Sequence, residues 1–304
     1  MSNFLDTLQS FSYLGEVLSL SAALLWAVAI IFFRLSGKTV HPLGLNFFKN
    51  LLSFLLIGLT MLIGQEVFFP AYSERIYILF IISGIIGLGL SDTLLFSSLN
   101  RLGAGLLAIV YCTYSPFIIL LSLIFLGERM RLIQFFGVAL IVLSVWVISG
   151  RSSRKTLSQK SLTTGIVLGL GAMLSQAVSI VIIKPYLAQT PLLWATQIRT
   201  LGGILGLMLV LQFHKEKNII RKTTFSLRNW RHLFPGAFIG SYIAIIAWMG
   251  GMKYTLVSIA ASLNQTNTAF LFLFGILFLG EKPTPGKLLS FLAASTGVCL
   301  VMLF

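Results

Sequence analysis

Three ionisable side chains stand deep inside long apolar runs of this 304-residue chain: Lys49, Asp92 and Arg199. A charge surrounded by hydrocarbon is costly and marks a functional candidate by default. Lys49 falls about 6 residues, or roughly 9 Å at 1.5 Å per residue, inside the start of its run, and Asp92 about as far inside the end of the next. Those two ends share one side, so a Lys49–Asp92 ion pair is geometrically open to them. It would either hold two helices in register or make Asp92 a proton-coupling acid. Arg199 has no acid at the corresponding place. Its guanidinium needs either helix-end carbonyls or an anionic substrate group such as a carboxylate, which suits its planar fork.

Neutral polar groups form a second constellation. Tyr111, Tyr114 and Ser115 are spaced i, i+3, i+4, which puts them on one face of a helix. Asn264, Asn267 and Thr268 repeat that spacing later in the chain. Such groups suit the wall of a polar cavity, and equally suit hydrogen bonds between helices. Pro116 removes a helical donor beside the first cluster, which frees the Cys112 carbonyl or bends the helix there. Trp26 and Gln176 are weaker candidates for the same cavity, with Tyr242 and Trp248 beside them.

Enzyme chemistry finds little support. His41, His214 and His232 lie at loops or run ends without metal-ligand spacing, so no metal or other cofactor is expected. No phosphate-binding glycine loop is present, and Gly87-Leu88-Gly89 sits inside an apolar run rather than opening a nucleotide site. Cys112 and Cys299 both fall in apolar runs and form neither a zinc signature nor a disulfide framework.

The elements that must position these residues follow from composition. The chain is 57% hydrophobic and 10% charged, with mean hydropathy +0.95. A soluble surface needs about 25% charged residues, so the solvent here is a bilayer. Runs such as 51–63 do not alternate as barrel strands would, and a backbone in hydrocarbon must satisfy its own polar groups, so the runs are helices. Spans are expected at 14–35, 43–64, 76–98, 103–126, 131–149, 163–183, 191–212, 232–252, 256–279 and 286–303. The first 16 residues hold no Lys or Arg, so the first span is expected to stay rather than be cleaved as a signal. The fold class is therefore all-α integral membrane, with ten transmembrane helices.

The chain repeats itself. Phe125-Leu126-Gly127-Glu128 recurs 153 residues on as Phe278-Leu279-Gly280-Glu281, each after an apolar helix and before a short polar break. At an offset of 150, Gly15 falls on Gly165, Trp26 on Gln176, Arg34 on Lys184, and Lys49 on Arg199. Two domains are expected, 1–150 and 161–304, divided by the polar segment Gly150–Lys160. A five-span unit ends on the side opposite its start, so its successor inserts upside down. Two inverted five-helix repeats result, with a site near the midplane between them, as in transporters. Glu128 and Glu281 then fall at opposite faces, as helix-end structure rather than a catalytic pair. Gly165-x-x-x-Gly169, Gly202-x-x-x-Gly206 and Gly236-x-x-x-Gly240 provide close helix contacts.

The net charge of +14 is read as membrane orientation and headgroup contact rather than nucleic-acid binding. Loops after spans 1, 3, 5, 7 and 9 carry 15 Lys and Arg, and the other loops and tails carry 5. The positive-inside rule puts both termini outside.

At the doubled segment the sequence resembles the EamA-like ten-helix members of the drug/metabolite transporter superfamily. Gly127-Glu128-Arg129 with Gly137, and Gly280-Glu281-Lys282 with Gly297, carry the likeness. Asn100-Arg101-Leu102-Gly103, Lys253-Tyr254-Thr255, Lys49 and Arg199 add to it. The resemblance implies a ten-helix basket in a cell (inner) membrane, with a cavity from spans 1, 3, 4, 6, 8 and 9. It implies cytoplasmic termini, against the charge count.

The expected function is a secondary active or facilitative transporter, an exporter of small metabolites such as amino acids. Tyr111, Tyr114, Ser115, Asn264, Asn267, Arg199, Gln176 and Trp26 are the substrate-binding candidates. Protons are a candidate coupling partner. The rival readings are a membrane-embedded enzyme acting on a lipid-linked substrate and a non-transporting scaffold.

Overall fold

The computed structural model describes residues 13–126, 132–151, 158–187, 189–254, 260 and 263–303. Glu128, its neighbours Gly127, Arg129 and Arg131, Thr255 and most of the Gly150–Lys160 segment lie outside them. All regular structure among the described residues is helical.

Among the described residues twelve helices follow in order. They are α1 (Leu14–Ser36), α2 (Pro42–Ile63), α3 (Glu74–Leu102), α4 (Ala104–Tyr111), α5 (Tyr114–Leu126) and α6 (Leu132–Arg151). Then come α7 (Gln159–Leu187), α8 (Leu192–Phe213), α9 (Lys217–Thr224), α10 (Leu227–Tyr254), α11 (Thr266–Leu279) and α12 (Pro285–Leu303). Among the described residues, the six helices α1, α2, α3, α7, α8 and α10 are long and apolar enough to cross a membrane, and shorter apolar helices occupy the other expected places.

Local chemistry sets the ends. His41 Nδ1 accepts from the Leu43 amide, and Pro42 occupies the first turn of α2, where a missing N–H costs nothing. Gly103, at φ 80°, turns the chain between α3 and α4. Gly280, at φ 65°, terminates α11 in the left-handed region while the Glu281 amide bonds back to the Gly275 carbonyl.

The structure departs from expectation at two elements. The span foreseen at 103–126 is broken at Cys112–Thr113 into α4 and α5. Pro116 cannot donate to Cys112, and the turn closes instead through amides of Cys112 and Thr113 bonding to Ile109 and Val110. Helix α9, in the stretch treated as loop between 212 and 232, is amphipathic. Its Ile220 is buried against Leu43 and Leu207, while Lys217, Arg221 and Lys222 stay exposed.

α3 and α10 share an irregularity. Each winds as a π-helix in its middle, over Ile85–Ser91 and Phe238–Ile243, and the two segments begin 153 residues apart. π segments shift the backbone bonding register and leave carbonyls for other donors. Asn46 Nδ2 donates to the Leu88 and Gly89 carbonyls, both at 2.8 Å, and Asn50 Nδ2 donates to Leu88 at 3.2 Å. In α10, Trp26 Nε1 donates to Gly240 at 2.8 Å, and Ser53 donates to the Ser241 carbonyl.

Packing is reciprocal. α10 lies on α1 and α2, and α3 lies on α7 and α8; α2 also meets α8, α4 meets α11, and α6 meets α12. Serines fasten α3 to α7: Ser83, Ser91 and Ser98 donate to the carbonyls of Ser179, Ala172 and Gly165. In the other pair, glycines allow close approach. A Cβ on Gly240 would meet that of Ala29 at 2.6 Å, and one on Gly251 would meet Ser19 Oγ at 2.2 Å.

Candidate functional site

α3 and α8 approach to backbone contact. A Cβ on Gly84 would come within 1.9 Å of the Arg199 carbonyl oxygen, and one on Gly202 within 2.2 Å of that of Ile81. This places Arg199 beside the π segment of α3. On the other side of that segment α2, held by Asn46 and Asn50, presents Lys49. Lys49 and Arg199 are each the eighth residue of a 22-residue helix. Each is a few residues from its helix centre.

Lys49 Nζ lies 2.7 Å from Asp92 Oδ2, the pairing the sequence left open. The ammonium also lies 6.0 Å from the centroid of the Phe96 ring. Arg199 is 1% exposed. Its Nε donates to Ser83 Oγ at 3.1 Å, its Nη1 faces Met249 Sδ at 3.7 Å, and its guanidinium carbon is 6.0 Å from the Trp248 ring centroid. Nη2 has no hydrogen-bond partner among the described residues. Serine hydroxyl, thioether and ring thus replace the helix-end carbonyls that were one expectation. Each is weaker than a carboxylate as a partner for a buried cation.

These groups meet in a cavity of about 90 Å³. Its charged lining is Lys49, Asp92 and Arg199. With Lys49 and Asp92 paired, one formal positive charge remains. Trp26, Phe33, Phe96, Tyr111 and Trp248 supply aromatic walls, and Asn50, Ser91, Gln176 and Ser241 supply neutral polar groups. A smaller cavity of about 30 Å³ adjoins it through the shared residues Trp26, Tyr111, Gln176 and Trp248, and adds Tyr114 and Asn264.

The structure therefore brings Trp26, Tyr111, Tyr114, Gln176, Arg199 and Asn264 around one polar chamber, with the Lys49–Asp92 pair in its wall. Tyr114 Oη and Asn264 Oδ1 lack partners among the described residues, so both can serve a bound polar molecule. Ser115 and Asn267 line neither cavity. Ser115 is fully buried and accepts from Gln265 Nε2, the interhelical alternative for that cluster. Asn267 is also fully buried, with neither side-chain polar atom partnered among the described residues. The lining also draws on α2 and α8, beyond the spans the family likeness implied, through Lys49, Asn50 and Arg199. Asn46 and Asn50 were not singled out in the sequence, although amides one turn apart in an apolar run were the available signal.

Aromatic and polar contacts join the helices toward one end of the chamber. Phe33 and Phe96 meet edge to face at 5.0 Å. Toward the ends of α1 and α3, Arg34 Nη1 donates to the Asn100 carbonyl at 2.7 Å. Glu281 stands at the same end, near Arg34. Its carboxylate accepts from the Ala104 and Gly105 amides at 2.6 and 2.9 Å, filling the otherwise unsatisfied N-terminus of α4. The second Phe-Leu-Gly-Glu glutamate is thus a helix-end residue.

An all-helical chain with membrane-length apolar helices around a buried polar chamber is a polytopic membrane protein. The chain belongs to the EamA-like transporter family, which it matches over residues 13–150 and again over 163–303. It is 24% identical over 269 residues to an uncharacterized transporter of Archaeoglobus fulgidus, across 88% of this chain and 90% of that one. A protein of known crystal structure superposes with a TM-score of 0.67 at 15% identity, covering 95% of this chain and 96% of its own. At that identity the likeness speaks for the fold.

Proposed function

We propose that this membrane transporter moves small metabolites bearing a carboxylate, such as amino acids, by alternating access around the Arg199 chamber. The observation that carries the reading is the guanidinium itself. It is buried beside an aromatic wall, within a lining whose one acid, Asp92, is held by Lys49. A carboxylate would supply the missing partner in bidentate geometry. A substrate amino group would find Tyr114 Oη, Asn264 Oδ1 and Gln176 close by. The transport is secondary active or facilitative, and its outward direction rests on the family resemblance alone.

The proposed architecture is ten membrane helices in two inverted units, 1–150 and 161–304. Three observations support it: the double family match, the reciprocal packing, and the matched π segments. A cavity of about 90 Å³ is small beside ligand pockets of about 300–1,000 Å³. Substrate entry therefore requires the units to part, which is what alternating access provides.

The test is flux in proteoliposomes against a panel of amino acids and nucleosides, with and without a proton gradient. Arg199→Ala is expected to lower apparent affinity for carboxylate substrates about a hundredfold, the cost of about 3 kcal/mol for a charged hydrogen bond. Arg199→Lys should recover only part, because an ammonium cannot form the fork. Unaltered affinity in both would remove Arg199 from the site.

A further inference from the structure

Away from the chamber, α9 and the neighbouring ends of α2 and α8 enclose a groove of about 700 Å³. Its floor is apolar and includes Phe47, Leu205, Met208 and Leu209. Leu205, Met208 and Leu209 are 47%, 54% and 61% exposed, so this floor faces the lipid side of the molecule. At its rim α9 carries Lys217 and Arg221, one turn apart on one helix face and both exposed. Lys217 Nζ reaches the Gln212 carbonyl at 3.3 Å, at the end of α8. Thr224 Oγ1 lies in the same wall, buried and without a partner among the described residues.

We propose that this groove binds an anionic phospholipid, with an acyl chain along Phe47, Leu205 and Leu209 and the phosphate held by Lys217 and Arg221. The argument is one of paired chemistry. α9 is an interfacial amphipathic helix, anchored by Ile220 against Leu43 and Leu207, and such helices lie at headgroup depth. The apolar floor requires a hydrocarbon occupant. The two cations at its polar end require an anionic headgroup, because cations near a membrane surface select anionic lipid. Charge in the lining has one sign, with the acid Glu216 standing just before α9, outside it. The adjoining surface hollow is lined by Lys38, Lys222, Arg228, Arg231 and His232, and neither lining contains an acid. The groove also straddles the seam between the two family-matched segments, since α2 belongs to one and α8 and α9 to the other. A lipid there touches both moving parts, and it does so whatever the substrate is.

The test uses the full chain, delipidated in detergent and titrated with phosphatidylglycerol or phosphatidylcholine of identical acyl chains, with retained lipid counted by native mass spectrometry. Wild type should retain one phosphatidylglycerol in preference to phosphatidylcholine. Lys217→Gln/Arg221→Gln should weaken that binding roughly tenfold or more. Arg101→Gln/Lys282→Gln, which removes the same charge from other exposed sites, should leave it intact. Equal retention of the two lipids would overturn the proposal. So would equal losses in the two double variants, or full displacement by soluble glycerophosphate, which has no chain for the groove. Because the readout is lipid retention, a failed flux assay leaves this result standing.

Discussion

Buried charge is the most expensive item in the residue inventory, and Lys49 and Arg199 meet that cost differently. Lys49 is paired with Asp92 at 2.7 Å, whereas among the described residues Arg199 contacts Ser83, Met249 and the Trp248 ring. Removing one member of a buried pair strands the other, at about 3–5 kcal/mol, while replacing both by apolar groups is often neutral. Lys49→Met is therefore expected to lower detergent-solution stability by about that much. Lys49→Met/Asp92→Leu should restore most of it, read as the thermal unfolding midpoint. Transport separates the two roles left open for the pair. The double variant is expected to be stable yet unable to use a proton gradient, and gradient-driven flux retained at wild-type rate would leave the pair a structural clamp. The three in-span charges were legible because hydropathy makes them conspicuous. Asn46 and Asn50 were not, because an amide in an apolar run looks alike whether it faces a neighbouring carbonyl or a cavity.

Helices here are positioned by what they lack. Gly84 and Gly202 let α3 and α8 touch through their backbones, and this contact sets Arg199 against Ser83. Gly84→Ala would press a methyl group to 1.9 Å from the Arg199 carbonyl oxygen, so the helices must separate. Destabilisation of about 1–3 kcal/mol is expected, the usual range for overpacking. Substrate affinity should fall as well, since the guanidinium moves with its backbone. Gly171→Ala is the control: its Cβ would meet only Leu94 Cδ1, at 3.4 Å, and it should leave both properties near wild type. Which runs were helices, and which glycine pairs served contacts, could be read from apolar length and small-residue spacing. The break at Cys112–Thr113 was only half legible. Pro116 marked the place, but whether a helix bends or stops depends on the neighbours that accept its loose groups. Helix α9 was missed because its 8 residues are too short and too polar for a hydropathy window, and it is held by burial of Ile220 and Thr224 against α2 and α8.

Across the whole molecule, charge and packing assign faces. Thr39 Oγ1 donates to Asn229 Oδ1 at 2.9 Å on the face rich in Lys and Arg, and Tyr72 Oη donates to the Gln189 carbonyl at 3.3 Å on the other. By the positive-inside rule the first face is expected on the cytoplasmic side. Single cysteines in a Cys112→Ser/Cys299→Ser background test this with a membrane-impermeant maleimide on intact cells. Glu66→Cys is expected to label and Ser226→Cys to label only after permeabilisation. The reverse pattern would favour the cytoplasmic termini implied by the family resemblance. Two segments that match one family model agree with the offsets read in the sequence, which survive where identities do not. The chamber's substrate was not legible, because it depends on side-chain directions across eight helices rather than on any local motif.

The two π segments carry a historical consequence. Each is a local fault in helical winding, of a kind that arises by inserting a residue into a regular helix. They start 153 residues apart, at corresponding places in two segments that match the same family. Two unrelated insertions would have had to choose the same turn of the same helix twice. The simpler ancestry is a single insertion in an ancestor of the family-matched segment, copied when that segment doubled. On that account the fault is older than the two-part chain. The asymmetry around it came afterwards: Asn46 and Asn50 on one carbonyl ladder, Trp26 and Ser53 on the other.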